Sequence, residues 1–347
     1  MGRRHKHFDW KTRIINYDYI TEHLLKHKDG DRLCVNHNNN TLENNIHLIK
    51  RIGTSSKFGE AWRSHLEKQD IYVDMAIKKI PLEKGDMEKP FSSTSLLSNN
   101  SVWSEMTCYI LCNILVFSKV CPNLPLYYKY FWCPKCHFMN RYITPKKQPC
   151  LLVLNELAEA DLEQLWKQYK LNPPVEVTKS CMFQIFISLY ALNKFYGMSH
   201  NDLHWGNVLA HKIEEGGYWE YTLQKKRYYV PNTGYLFVLW DFGNAYIKNK
   251  IKGHKDNNDR TATLENDVGH ISHLMFRKSI HGNSKKFLKE LDKRTEDYDS
   301  LPSIIADMFE EYTEKPDESE IIDRFNLDVT KAEVKKYVPT GFKKFIK

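Results

Sequence analysis

His200-Asn201-Asp202-Leu203-His204-Trp205-Gly206-Asn207 decides how this chain is read. It sets a carboxylate shortly ahead of a carboxamide, and Asp241-Phe242-Gly243 follows downstream. The stretch before it, 177–196, is apolar on most faces and predicts a long buried helix. The stretches 208–211 and 235–240 predict strands, with a polar insertion between them, and the second leads straight into Asp241. Asp202 is a carboxylate able to take a proton from a hydroxyl. Asn207 offers a neutral oxygen and Asp241 a charged one, a donor pair that suits Mg²⁺.

Three features upstream bear on the same chemistry. Gly53-Thr54-Ser55-Ser56-Lys57-Phe58-Gly59 lies between two strand candidates. Its small residues let backbone N–H groups approach phosphates closely, although such a loop also describes most hairpins. Met75-Ala76-Ile77-Lys78 lies in the next strand candidate, where Lys78 alternates with apolar neighbours and Lys79 points to the opposite face. Glu105 is the only acidic residue in 102–119, a stretch with helical apolar spacing. A carboxylate facing the sheet there is costly unless paired, and Lys78 is the obvious partner.

Working outward, residues 1–45 are polar and predict an irregular N-terminal extension with one short helix near 17–26. Residues 46–158 predict a small sheet with one principal helix: strands at 46–52, 59–66, 71–80, 127–131 and 151–154, and a loop over 83–101. The last two strands are separated by a Cys-containing insertion at about 121–150. Residues 159–347 predict a mainly helical region, with helices at 162–169, 268–280, 285–293, 301–312 and 318–325 beside the long one, and a basic C-terminal tail.

With 347 residues, 41% hydrophobic and 27% charged, the chain has the balance of an ordinary globular protein and can build a sizeable core. The apolar stretches 110–120 and 183–192 are too short and too interrupted to span a bilayer, so no membrane span is expected. Met1-Gly2-Arg3-Arg4-His5-Lys6 has no apolar leader, and Lys6 stands where a myristoylation motif needs Ser or Thr. The expectation is an intracellular protein with reduced thiols. A net charge of +8, concentrated at both ends, reads first as a solvated surface. Direct nucleic-acid binding is not indicated beyond that basic charge, because no binding motif accompanies it.

Lys78, Glu105, His200-Asn201-Asp202, Asn207 and Asp241-Phe242-Gly243 together resemble the eukaryotic-type protein kinases, in their order and spacing, over about residues 46–280. Asp202-Leu203-His204-Trp205-Gly206-Asn207-Val208-Leu209 resembles the catalytic loop of the haspin-type kinases. The Asn- and Lys-rich composition is similar to that of kinases of large nucleocytoplasmic DNA viruses. The resemblance implies an α+β fold of two lobes, mainly β then mainly α, that binds ATP and Mg²⁺ and phosphorylates Ser or Thr of a protein substrate. It makes Asp202 the base, Lys78 with Glu105 the phosphate-positioning pair, and Asn207 with Asp241 the Mg²⁺ ligands. His204 stands where many kinases carry a γ-phosphate lysine. Gly53, Thr54, Ser55 and Gly59 would cover the phosphates. The backbone of Glu156 and Ala158 would meet the adenine edge, with Asn155 as gatekeeper, and Asp161 would reach the ribose. A viral kinase would work in the host cytoplasm or nucleus, or travel in the virion.

The chain also departs from the pattern. Haspin-type enzymes replace Asp-Phe-Gly, which stands here. Asn201 occupies the place of the Arg that grips an activation-loop phosphate, and no Ala-Pro-Glu follows Asp241. The segment from Asp241 to Asp267, the residue that resembles the anchor of the catalytic loop, is short. Choline and aminoglycoside kinases share a His-x-Asp-Leu-His-x-x-Asn pattern and are the first alternative; a non-enzymatic pseudokinase scaffold is the second.

Cys133-Pro134-Lys135-Cys136 carries the spacing of a metal-binding pair, flanked by Cys121 and Cys150. These four could form a structural Zn²⁺ site or remain free thiols, and both readings stay open. Cys34, Cys108, Cys112 and Cys181 read as small apolar residues.

Overall fold

A computed structural model describes residues 10–337, except 37, 44, 57–58, 69–70, 84–85, 87–100, 248–250, 252–262, 279 and 298. The chain is mixed α+β and divides into two compact units, one of residues 1–96 with 126–157 and one of residues 97–125 with 158–347.

The first unit is built on a sheet of six strands in the order β1-β2-β3-β4-β6-β5, all neighbours antiparallel. The strands are β1 (Thr41–Leu42), β2 (Ile46–Ser56), β3 (Gly59–Lys68), β4 (Ile71–Pro81), β5 (Tyr127–His137) and β6 (Lys147–Glu156). β3 alternates in burial, with Trp62, Ser64 and Leu66 inward, as expected of a strand with one covered face. β6 is buried at every residue from Cys150 to Glu156, because β4 and β5 flank it and both of its faces are covered. The strand pattern over 127–131 extends to His137, so the expected Cys-containing insertion is the far end of the β5–β6 hairpin.

In the N-terminal residues, where one short helix is expected near 17–26, the helix begins earlier. Trp10–His23 forms helix α1, in which Arg13 and Ile20 are buried. Arg13 is the reason for the difference. Its Nε donates to Glu156 Oε2 at 2.9 Å and its terminal NH₂ to Glu156 Oε1 at 2.6 Å, with both side chains out of solvent. Glu156 Oε1 also accepts from the backbone N–H of Leu126 at 2.9 Å. Farther on, Leu33 N–H donates to Trp132 O at 3.0 Å, and Arg32 bridges Trp132 in parallel, so this segment runs alongside β5.

The second unit is organised around the helix Val175–Tyr196. It has the length and hydropathy to cross a membrane, but 78% of its apolar window is buried, which makes it a core helix. Gly197 ends it in the left-handed conformation, its N–H returning to Asn193 O. A buried polar network ties this helix to its neighbours: Asn123 donates to Gln184 Oε1 (2.6 Å) and Phe237 O (3.0 Å) and accepts from the Tyr221 hydroxyl (2.9 Å). The strand Val208–Lys212 pairs with Tyr235–Leu239 on one side and with the short Ala160–Asp161 on the other. The polar insertion is a hairpin, Tyr218–Leu223 with Lys226–Pro231. The expected helix over 318–325 is instead a strand, Ile321–Asn326, paired in parallel with Tyr218–Leu223. Its neighbour supplies the hydrogen bonds a helix would have made internally. Helices Ser101–Phe117, Leu264–Arg277, Gly282–Glu296 and Leu301–Met308 are among the rest of the unit.

Removing one partner of a buried ion pair strands the other charge, at a cost of about 3–5 kcal/mol. Arg13→Met should therefore lower the unfolding free energy by that order. Adding Glu156→Gln, which keeps an acceptor for Leu126, should recover most of it. Urea unfolding of the two variants checks this, and a wild-type midpoint for Arg13→Met would show that the pair has no structural weight.

Candidate active site

Asp202, Asn207 and Asp241 all lie in the second unit, and hydrogen bonds join the loops that carry them. Asp267, buried near the start of helix Leu264–Arg277, accepts from the backbone N–H groups of His200 (2.6 Å) and Asn201 (2.8 Å). This clamps the chain immediately before Asp202. Burial pushes the Asp267 carboxyl up to about 7, against the pull of those two donors. His200 is fully buried, which lowers its pKa, and the neutral ring donates from Nε2 to Trp240 O at 2.8 Å. Trp240 N–H in turn donates to Asn207 O at 2.8 Å. The backbone on either side of Asn207 and Asp241 is thereby locked together.

The side chains are oriented as well. Asn244 Nδ2 donates to Asp202 Oδ2 at 2.8 Å. Asn207 Nδ2 donates to Asp202 O at 2.9 Å, which leaves Oδ1 as the acceptor end of that carboxamide. Asn201 and Asp241 both adopt left-handed backbone, with φ of 59° and 60°, a conformation that Asn and Asp tolerate better than most residues. Asn201 Nδ2 donates to Asn244 O at 3.2 Å. Trp205–Asn207 forms one 3₁₀ turn, and the exposed His204 caps it by accepting from Gly206 N–H at its Nδ1 (3.1 Å). A Cβ on Gly206 would stand 3.0 Å from the His204 ring, so a larger residue there would have to push the imidazole aside. Lys278 Nζ lies 4.5 Å from the centre of the buried Trp205 ring.

Glu105 is buried in helix Ser101–Phe117 of this unit and accepts from the Tyr109 hydroxyl at 2.9 Å. The Tyr109 ring packs on Trp240 (5.2 Å) and edge-on to Phe242 (5.8 Å), and Phe242 also meets the His200 ring at 5.1 Å. The helix bearing Glu105 is therefore joined to the Asp-Phe-Gly segment. Asp161 caps helix Leu162–Gln168 by accepting from Gln164 N–H at 2.7 Å, and burial raises its pKa. Ala158 is half-buried. An open cleft of about 720 Å³ borders Asp202, with Leu203, Glu265, Asn266 and His270 in its walls.

The remaining candidates belong to the first unit. Lys78 lies on β4 between Ala61 and Val153 and is half-buried. Lys79, on the opposite face, is buried 3.3 Å from Glu60 Oε1 and 4.7 Å from the Trp62 ring centre. This separates the two lysines as their alternation predicts. Gly53 and Gly59 both have positive φ, and a Cβ on Gly59 would meet Lys79 O at 2.6 Å. β2 runs on through Thr54 and Ser55 to Ser56, and residues 57–58 of the expected loop lie outside the described residues. Glu156 uses its own N–H on Leu126 O at 3.0 Å.

The cysteines differ from the expected set. Cys121 lies in the second unit, its sulfur 3.9 Å from Ser188 Oγ. Cys133, Cys136 and Cys150 lie in the first unit with Cys34, which was expected to be a plain apolar residue. Cys34 bonds to Cys133 and Cys136 to Cys150. The segment running along β5 delivers Cys34, whereas Cys121 follows helix Ser101–Phe117 into the other core. Asn244, Tyr109 and Arg13 were not singled out in the sequence; only Asn244 carried a signal, its place directly after Asp241-Phe242-Gly243.

No protein-family model matches the chain. The chain is 25% identical over 300 residues to the "Probable serine/threonine-protein kinase 380R" of Invertebrate iridescent virus 6, covering 78% of this chain and 53% of that protein. It is 30% identical over 113 residues to the "Putative serine/threonine-protein kinase 019R" of Frog virus 3 (isolate Goorha), covering 32% of this chain and 13% of that protein. An "Uncharacterized protein 011L" of Invertebrate iridescent virus 3 is 30% identical over 141 residues, 39% of this chain and 19% of its own length. The chain thus spans about half the length of the first relative and less of the others. Its distant relatives include viral proteins named as serine/threonine kinases.

Asp267 also makes a prediction about pH. Its folded-state pKa of about 7 lies above the unfolded value of roughly 3.9, so folding takes up a proton between them. Its contribution to stability is full below the unfolded value and is lost as pH rises through about 7. The stability of wild type relative to Asp267→Asn should therefore fall across that window. Denaturant titrations of both proteins at several pH values measure it; a pH-independent difference would show that Asp267 is ionised throughout.

Proposed function

We propose that the chain is an ATP-dependent protein kinase that transfers the γ-phosphoryl group to Ser or Thr hydroxyls of a protein substrate. The observation that carries this reading is the hydrogen-bonded frame around Asp202: Asp267 clamps the backbone before it, Asn244 orients its carboxylate, and Asn207 is tied to it on one side and to Trp240 on the other. The names of the viral relatives support the same activity.

In this reading Asp202 accepts the proton of the acceptor hydroxyl and directs its oxygen toward the phosphorus. The cleft beside Asp202 receives the acceptor segment. Asn207 and Asp241 fit Mg²⁺ by their donor chemistry, since the first presents a carboxamide oxygen and the second a carboxylate. The bound metal supplies charge neutralisation on the transferred phosphoryl group. Lys78 neutralises nucleotide phosphate, and the burial of Lys79 against Glu60 favours Lys78 for that role. Glu105 is a positioning residue for the Asp-Phe-Gly segment, acting through Tyr109.

Purified chain with labelled ATP, offered mixed proteins or small alcohols such as choline, tests the activity. Label on protein Ser or Thr is expected; label on the small alcohols alone would move the chain to the small-molecule kinases. Asp202→Asn should cut transfer by about 10²-fold or more while leaving nucleotide affinity near wild type. Wild-type turnover in that variant would remove Asp202 from the role.

Asn201 cannot make the bidentate phosphate contact of an arginine, and its side chain is already engaged with Asn244 O. Phosphatase-treated protein should keep its activity. Silencing by phosphatase, reversed on rephosphorylation, would show that another basic residue does the arginine's work.

A further inference from the structure

We propose that Cys34, Cys133, Cys136 and Cys150 form a four-thiolate zinc site in the reduced chain. Three adjacent backbone segments bring these residues to one place. Cys133 and Cys150 are direct cross-strand partners on β5 and β6. Cys34 reaches Cys133 from the segment that runs along the outer side of β5, with Cα atoms 5.0 Å apart. Cys136 reaches Cys150, with Cα atoms 5.8 Å apart.

The Cys-x-x-Cys pair carries a further argument. In a regular strand, residues three apart face opposite sides. Here the register shifts between Cys133 and Cys136: Cys133 pairs with Cys150 but Cys136 pairs with Gln148, so β5 holds one residue more than β6 over this interval. A bulge of one residue restores both cysteines to the same side. Each of two isolated disulfides needs only its own two residues to meet. A bulge that turns Cys133 and Cys136 to the same side, beside a Cys150 already opposite Cys133, sets the four cysteines side by side on adjacent segments, the neighbourhood a tetrahedral site requires.

Cys133, Cys136 and Cys150 are buried and Cys34 lies at the surface, so the site is shielded yet accessible to an ion. Lys135, between the paired cysteines, and Lys147, opposite His137, add positive charge next to a centre that would carry two net negative charges. The chemistry balances with a dithiol as reductant. It delivers two electrons and two protons to each S–S bond and becomes a disulfide itself. Zn²⁺ then replaces the four thiol protons, which pass to solvent, and four Zn–S bonds form. Such a site would fasten the segment of Cys34 to the β5–β6 hairpin of the first unit, and it does not depend on the activity argued for Asp202.

The test is zinc content and native mass of the full chain, produced with zinc and purified under a dithiol. About one zinc per chain is expected. Cys34→Ser and Cys136→Ser should each lose most of it. Cys121→Ser should keep it, and so should His65→Ala, which disrupts a cluster of metal-ligating side chains elsewhere, His47, His65 and Glu67. Cobalt exchanged into wild type should show the visible bands of a tetrahedral sulfur site. Circular dichroism on each variant separates loss of metal from loss of fold. Wild type that stays folded under dithiol without metal, as four free thiols or two intact disulfides, would overturn the proposal, as would zinc unaffected by Cys34→Ser.

Discussion

A buried carboxylate holding two backbone N–H groups is the constraint on which the second unit's site depends. Asp267 grips His200 and Asn201, so the chain enters Asp202 from a fixed point. A carboxylate in a buried place is costly, and here two backbone donors offset part of that cost. Everything else at the site extends from this clamp. His200 reaches Trp240, Trp240 reaches Asn207, and Asn207 returns to Asp202. The result is a closed circuit in which one loop cannot shift without breaking bonds to the other.

The first unit uses a different device, which is to commit each buried charge to one partner. Lys79 is held by Glu60 and covered by Trp62, and this separates it from Lys78 one residue before it on the other face. Glu156 is held by Arg13, so a residue at the end of β6 is fastened by a helix from the other end of the sequence.

Cys34 lies 99 positions before Cys133, and the meeting of the four clustered cysteines is a product of strand register. One extra residue in β5 turns Cys133 and Cys136 to the same side, while pairing of residues 31–34 with β5 supplies Cys34. Cys121, close to them in sequence, is carried into a different core by the helix before it. Proximity along the chain therefore misled where proximity across strands decided.

Local residue pattern determined a great deal by itself: the core helix, the strands around Lys78 and Asp241, and the loop carrying Asp202 and Asn207. These are set by interactions between residues near one another, namely apolar periodicity, β-branching and the special backbone of Asn and Asp. What the tertiary structure decided are the non-local pairings. Residues 318–325 have helix-like spacing, yet Ile321–Asn326 forms a strand because it pairs with the edge of Tyr218–Leu223. Asn244 becomes the residue that orients Asp202 only once the strands Val208–Lys212 and Tyr235–Leu239 bring their ends together. Arg13 and Cys34 acquire partners more than ninety positions away. A hydrogen bond, an ion pair or a sulfur contact depends on a few tenths of an ångström between distant segments, and no periodicity in the chain records that distance.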